Sequence, residues 1–169
     1  MNIVLIGYRG AGKTSVGRLL AARLNMKFVD IDDLIVNKAG KTIREIFESG
    51  GEQVFRDLEV AAVVEAVSRD DVVIAAGGGV VLRPENINHL KQNGRVVWLS
   101  VPPEILWQRI QLDRQTAEMR PNLTSAGGLE EIRRLLEIRG PLYQAAADIT
   151  VDASHNDIEH IVHFLAEMV

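Results

Sequence analysis

The 169-residue chain contains no cysteine, which excludes disulfides, thiolate nucleophiles and cysteine-ligated metals. Histidine is scarce as well. His89, His155, His160 and His163 form no metal-ligand spacing, so all four read as surface or helix residues. Aromatic residues make up only 5% of the chain, which leaves Trp98 and Trp107 as core fillers and Phe47 and Phe55 as candidate walls of a ligand pocket. No apolar stretch approaches the ~20 residues of a membrane span. The N-terminus lacks a charged region followed by an apolar segment and a cleavage site, so nothing suggests export. These absences point to a cytoplasmic protein without a membrane partner. A net charge of −4 argues against nonspecific nucleic-acid binding, so an anionic ligand requires locally clustered Arg and Lys. There is no repeat, low-complexity tract or dividing linker. One domain over 1–169, acting as a monomer, is expected.

What is present is an alternation of apolar runs and helical patterns, the signature of an α/β fold with a parallel sheet. The strand candidates are Asn2–Ile6, Lys27–Val29, Val72–Ala75, Val96–Leu99 and Ile149–Val151. Helices are predicted over Lys13–Leu24, Ile43–Ser49, Glu52–Ser68, Pro84–Gln92, Glu104–Leu112, Leu129–Ile138 and Asp157–Met168. Thr42-x-x-Glu45 and Ser49-x-x-Glu52 read as capping boxes, and Pro84 and Pro103 suit first helical turns.

The pattern is organised around Gly7-Tyr8-Arg9-Gly10-Ala11-Gly12-Lys13-Thr14, directly behind the first strand. Gly, four residues, then Gly-Lys-Thr between a strand and a helix is a phosphate-binding loop. Its glycines let backbone N–H groups close around a triphosphate, and the helix dipole adds positive potential. Gly10, Ala11, Gly12, Lys13, Thr14 and Ser15 are the expected nucleotide contacts. Lys13 reaches the β- and γ-phosphates, and the Thr14 hydroxyl is placed for Mg²⁺.

A second site is read from carboxylates and arginines. Asp30 and Asp32, two apart at the end of strand two, project to one face if the strand continues. One can hold a Mg²⁺-bound water while the other accepts a substrate hydroxyl; the alternative is that they cap the next helix. Gly77-Gly78-Gly79 after strand three suggests close approach of a ligand to the backbone. Arg56 shares a helix face with Glu52 and Glu59, and Arg139 is expected to end a helix before Gly140-Pro141. The polar stretch of about 113–128 reads as a lid, in which Arg120 arrives with closure to neutralise phosphoryl charge.

Taken together, these motifs resemble the shikimate kinase family over essentially the full chain. Gly7–Thr14, Phe28-Val29-Asp30-Ile31-Asp32, Gly50–Arg56, Gly77–Gly79, Arg120-Pro121 and Arg139–Tyr143 carry the resemblance through their order and spacing. It implies a three-layer α/β/α fold like that of nucleoside monophosphate kinases, with a five-stranded parallel sheet, a mobile lid and substrate-binding helices at about 32–60. It further implies transfer of the ATP γ-phosphoryl group to the 3-hydroxyl of shikimate, a step towards chorismate and the aromatic amino acids, with Mg²⁺ as cofactor. Asp32 would orient or deprotonate the attacking hydroxyl, and Asp30 would serve the metal beside Thr14. Arg56, Arg139 and the Gly78 backbone would hold the substrate, and Lys13 and Arg120 would neutralise phosphoryl charge. By the same resemblance Arg114 would face adenine, although Asp152–Asn156 lacks the arginine or proline expected opposite it. Gluconate-type and nucleoside monophosphate kinases share the phosphate loop and architecture, but the set of Asp30/Asp32, Arg56, the triple glycine and Arg139 is harder to place there. A GTPase switch would need an Asn-Lys-x-Asp motif, and Asn37-Lys38 is followed instead by Ala39-Gly40.

Overall fold

A computed structural model describes residues 1–113, 127–155 and 157–169. Five parallel strands, β1 (Asn2–Ile6), β2 (Lys27–Asp30), β3 (Val72–Ala75), β4 (Gly94–Ser100) and β5 (Ile149–Asp152), form one sheet in the order β2-β3-β1-β4-β5. Every residue of β1 and β3 is buried. These runs show no polar alternation because both sheet faces are covered. Val4 and Ile6 belong to one core, with Ile35, Val63, Leu90 and Tyr143. Ile3 and Leu5 belong to the opposite core, with Leu20, Leu106, Val162 and Leu165. Each such side chain contributes about 1.5–3 kcal/mol of burial, which makes the three layers the stable arrangement of this pattern. Among the described residues, no helix is long and apolar enough to cross a membrane.

The covering helices are α1 (Lys13–Arg23), α2 (Ile31–Ala39), α3 (Ile43–Val67), α4 (Pro84–Gln92), α5 (Pro103–Leu112), α6 (Gly128–Ala146) and α7 (Ile158–Met168). Three of them correct the sequence expectation. Strand two ends at Asp30, and α2 follows at once, so Asp32 lies in a helical first turn rather than on a strand. Strand alternation therefore does not bring Asp30 and Asp32 together; the strand-to-helix turn does. The β-branched Ile31, Ile35 and Val36 mask the helical repeat, which Asp30 caps at one end and Gly40, at φ 65°, closes at the other.

The second correction concerns α3, which merges two predicted helices across a kink at Gly51 (φ 77°, ψ 179°). Thr42 and Glu45 make the expected capping box. Ser49 does not: its hydroxyl donates to the Glu45 carbonyl at 2.8 Å, inside the first half of the helix. In the third, α6 continues past Arg139 and contains Pro141. An interior proline removes one helix hydrogen bond. The buried series Ile132, Arg139, Tyr143 and Ala146 continues beyond it on the packed face, and that burial outweighs the loss. Most of the lid reading, including Arg120 and Arg114, lies outside the described residues.

Candidate active site

The carboxyl ends of β1, β2 and β3 lie side by side, so the segments that follow them converge. After β1, Gly10 and Gly12 take φ values of 87° and 96°, which turn the chain back on itself. Lys13 then folds over its own loop, its ammonium donating to the Gly7 carbonyl at 2.7 Å and the Tyr8 carbonyl at 2.9 Å. These bonds hold the lysine at the loop it serves. A cleft of about 460 Å³, lined by Gly10, Gly12, Lys13, Thr14, Ser15 and Asp30, opens there. Its size suits a nucleotide.

Asp30 has two tasks. Its Oδ1 accepts from the Asp32 N–H at 2.9 Å and the Asp33 N–H at 3.4 Å, capping α2. Its Oδ2 accepts from the Thr14 hydroxyl at 3.1 Å. Asp30 thus caps the helix, as one of the alternatives read from the sequence has it, with its other oxygen turned to Thr14. Thr14 Oγ1 and Asp30 Oδ2 make a hard-oxygen pair at the cleft. Mg²⁺ is usually held by one or two carboxylates together with phosphate oxygens and water, so this donor set fits it. Asp33, beside this pair, has its carboxyl pushed up by burial and by the Asp30 charge.

A second, smaller cleft adjoins the first. Phe47 and Phe55, with ring centroids 4.8 Å apart, form an aromatic wall. Arg56, Arg139, Asp32, Glu59, Glu131 and Gly77–Gly79 supply the polar lining. Arg56 is buried and paired twice, donating to Glu59 at 3.0 Å and to Glu52 at 3.2 Å. Buried Arg139 makes no ion pair among the described residues. Its guanidinium carbon lies 5.7 Å from the Tyr8 ring centroid, and its Nε has no hydrogen-bond partner. A buried guanidinium with donor capacity to spare can seat a carboxylate.

The three glycines fit this side-chain packing closely. A Cβ at Gly79 would sit 2.3 Å from Arg56 Nη1, and one at Gly77 2.9 Å from Glu59 Oε2. Gly77 and Gly79 thus make room for the arginine and its acid, whereas a Cβ at Gly78 would meet the Arg139 guanidinium at an ordinary contact distance of 3.5 Å. The Gly78 carbonyl accepts from the Tyr143 hydroxyl. Burial pushes that phenol up to about 12, so it remains a neutral donor at ordinary pH. Gly79→Ala is expected to dislodge Arg56, raising the acceptor KM about tenfold while ATP affinity holds. Unchanged KM in initial-rate kinetics would show that Arg56 does not bind the acceptor.

Glu59 is fully buried, and desolvation pushes its carboxyl up against the opposing pull of Arg56. Because the folded value exceeds the unfolded one, the native state holds its proton longer. Stability should therefore fall as pH rises from the ordinary carboxylate range, near 4.5, through the raised folded value. Thermal unfolding between about pH 4 and 7 should show that fall in the wild type and a flatter profile in Glu59→Gln. Parallel profiles would contradict it.

Sequence reasoning did not single out Glu131, Tyr143 or Arg109 as site residues. Tyr143 lies four residues after Arg139, on the same helical face, and that spacing is a usable signal. Glu131 carries no such mark. Arg109 of α5 donates to the Gly10 carbonyl at 3.4 Å and to the Ala153 and Ser154 carbonyls at 2.7 and 3.1 Å. It ties the phosphate loop to the segment after β5.

Comparison with known proteins agrees with this geometry. Residues 9–169 match the shikimate kinase family model. The shikimate kinase of Rhodopirellula baltica is 42% identical over 161 residues, 95% of this chain and 86% of that one. That of Symbiobacterium thermophilum is 42% identical over 167 residues, 99% and 95% of the two chains. Among solved structures, a shikimate kinase from Acinetobacter baumannii in complex with shikimate superposes with a TM-score of 0.92 at 39% identity, covering 99% of this chain and 91% of that one. A gluconokinase from Sinorhizobium meliloti reaches a TM-score of 0.62 at 19% identity, covering 99% and 94% of the two chains, and shares the fold alone. By family match, full-length relatives and site geometry, this chain belongs to the shikimate kinase family.

Proposed function

We propose that this chain transfers the γ-phosphoryl group of ATP to the 3-hydroxyl of shikimate, and that the residues at the two clefts divide the work. One observation carries the reading: the cleft for the phosphate chain and the cleft with the guanidinium seat adjoin, and Asp32 lines both. A small polyol carboxylate fits the second cleft, with its carboxylate on Arg139 and Arg56 and its backbone contact at Gly78. Its hydroxyl then faces Asp32, which orients it and takes its proton as the oxygen–phosphorus bond forms.

On the donor side, Gly10, Ala11, Gly12, Lys13, Thr14 and Ser15 hold the triphosphate. Lys13 neutralises charge on the transferring group, and Arg120 joins it from the lid at about 113–128. Thr14 and Asp30 would hold Mg²⁺, which supplies neutralisation of phosphate charge when bound. Because phosphoryl transfer has a loose transition state, positioning and charge outweigh base strength, so an ordinary aspartate is adequate. The enzyme works in this reading as a cytoplasmic monomer of one domain, with helices at about 32–60 gripping the acceptor and no membrane or nucleic-acid partner.

Coupled detection of ADP release with shikimate, gluconate or a nucleoside monophosphate as acceptor tests the assignment. Shikimate-dependent turnover far above the others is expected. Preference for gluconate or a nucleotide would overturn it.

A further inference from the structure

The two clefts divide the basic residues between them. Arg56 and Arg139 line the acceptor cleft; Lys13, Arg18 and Arg109 line the nucleotide cleft. Arg9, in the phosphate loop itself, lines both, and it shares that position with Asp32 and the apolar Ile43. Residues common to two adjoining clefts mark the place where their contents meet. Of the other arginines here, Arg56 is engaged by two glutamates, Arg109 by three carbonyls and Arg18 by the Phe28 ring at 4.8 Å, while Arg139 is assigned to the acceptor carboxylate. Half-buried Arg9 makes no hydrogen bond or ion pair among the described residues. Arg9 thus lines the junction together with Asp32, the acid assigned to the attacking hydroxyl.

We infer that Arg9 contacts the phosphoryl group during transfer, as a further catalytic cation besides Lys13 and Arg120, and retains the phosphate on the product side. The inference rests on the proposed function. In the step, the acceptor oxygen forms a bond to the γ-phosphorus while the bond from that phosphorus to the β,γ-bridging oxygen breaks. The hydroxyl proton passes to Asp32, and the leaving oxygen departs with ADP. Charge spreads over the three equatorial oxygens of the transferring group, and a planar guanidinium matches two of them with paired donors. Arg9 belongs to the loop that binds the donor and lines both clefts, which brings a cation to the place where charge develops.

Arg9→Met and Arg9→Lys test this in the full chain. Arg9→Met should lower kcat about 100-fold or more, with the Kd of ATP and of shikimate within about threefold of wild type. Arg9→Lys keeps the charge but loses the fork, and should lose about tenfold in kcat. ADP with aluminium fluoride and shikimate, a mimic of the planar phosphoryl group, should bind Arg9→Met weaker by a factor similar to the kcat loss. A kcat near wild type in either variant overturns the inference. So does a rise in shikimate KM at unchanged kcat, which would make Arg9 a carboxylate ligand. If Arg9→Met does not fold, the Arg9→Lys values decide by the same criteria. Wild-type enzyme that ignores shikimate would instead overturn the underlying function, so the two failures are distinguishable.

Discussion

Replacing Asp32 with asparagine is expected to lower kcat about 100-fold or more, in line with loss of a positioned acid–base group, while the Kd of ATP stays within about twofold. Asp32 lies in the first turn of α2, and its backbone N–H, which the substitution leaves intact, is held by Asp30 at 2.9 Å. The fold and the Thr14–Asp30 pair therefore survive the change. What is lost is the charge that attracts the hydroxyl proton and fixes the oxygen for in-line attack. Asparagine keeps the shape, so a large fall in kcat isolates the carboxylate's chemical part. Steady-state kinetics with ATP binding measured separately checks this. A variant with kcat near wild type would remove Asp32 from the chemistry and leave it a cap-proximal acid.

The second large effect belongs to Arg139. Arg139→Ala is expected to raise the KM for shikimate about 10- to 100-fold, the range of one lost charge-assisted contact. Arg56 already spends its donors on Glu52 and Glu59, whereas Arg139 has no acid partner among the described residues. Substrate carboxylate thus gains more from Arg139 than from Arg56, and its loss should be the larger of the two. Truncating a buried side chain also leaves a cavity, so Arg139→Met, which preserves most of the packing, serves as the companion variant. An acceptor analogue without the carboxylate should show little difference between wild type and variant. Equal losses for shikimate and the analogue would show that Arg139 supports the fold of the cleft and does not read the carboxylate.

Much of this arrangement is legible in the sequence because chemistry constrains spacing there. The phosphate loop needs glycine, lysine and threonine at fixed offsets behind a strand, and β1, the loop and α1 stand where that pattern places them. All five strands coincide with the apolar runs, most cleanly β1 and β3, which are buried on both faces and have no exposed positions to blur them. Reading failed where local and tertiary signals compete. Asp30-Ile31-Asp32-Asp33 alternates like a strand yet turns into α2, because the Asp30 side chain captures two N–H groups of the following turn. Pro141 looks like a stop, but buried Tyr143 and Ala146 carry α6 beyond it. Gly77–Gly79 reads as a place where a ligand approaches the backbone, whereas the groups that crowd Gly77 and Gly79 are the protein's own Arg56, Glu59 and Asp32. No spacing rule could show that, since the partners lie on other elements.

The central claim is direct transfer between two small molecules meeting at the junction of Asp32 and Arg9, with no covalent stop on the protein. Its most direct test is the stereochemistry at phosphorus, using ATP made chiral at the γ-phosphorus with oxygen isotopes and analysing the configuration in shikimate 3-phosphate. A single in-line displacement inverts that centre, and inversion is the expected result. Retention would mean that the phosphoryl group pauses on a protein side chain, and the adjoining clefts would then not be the path it takes.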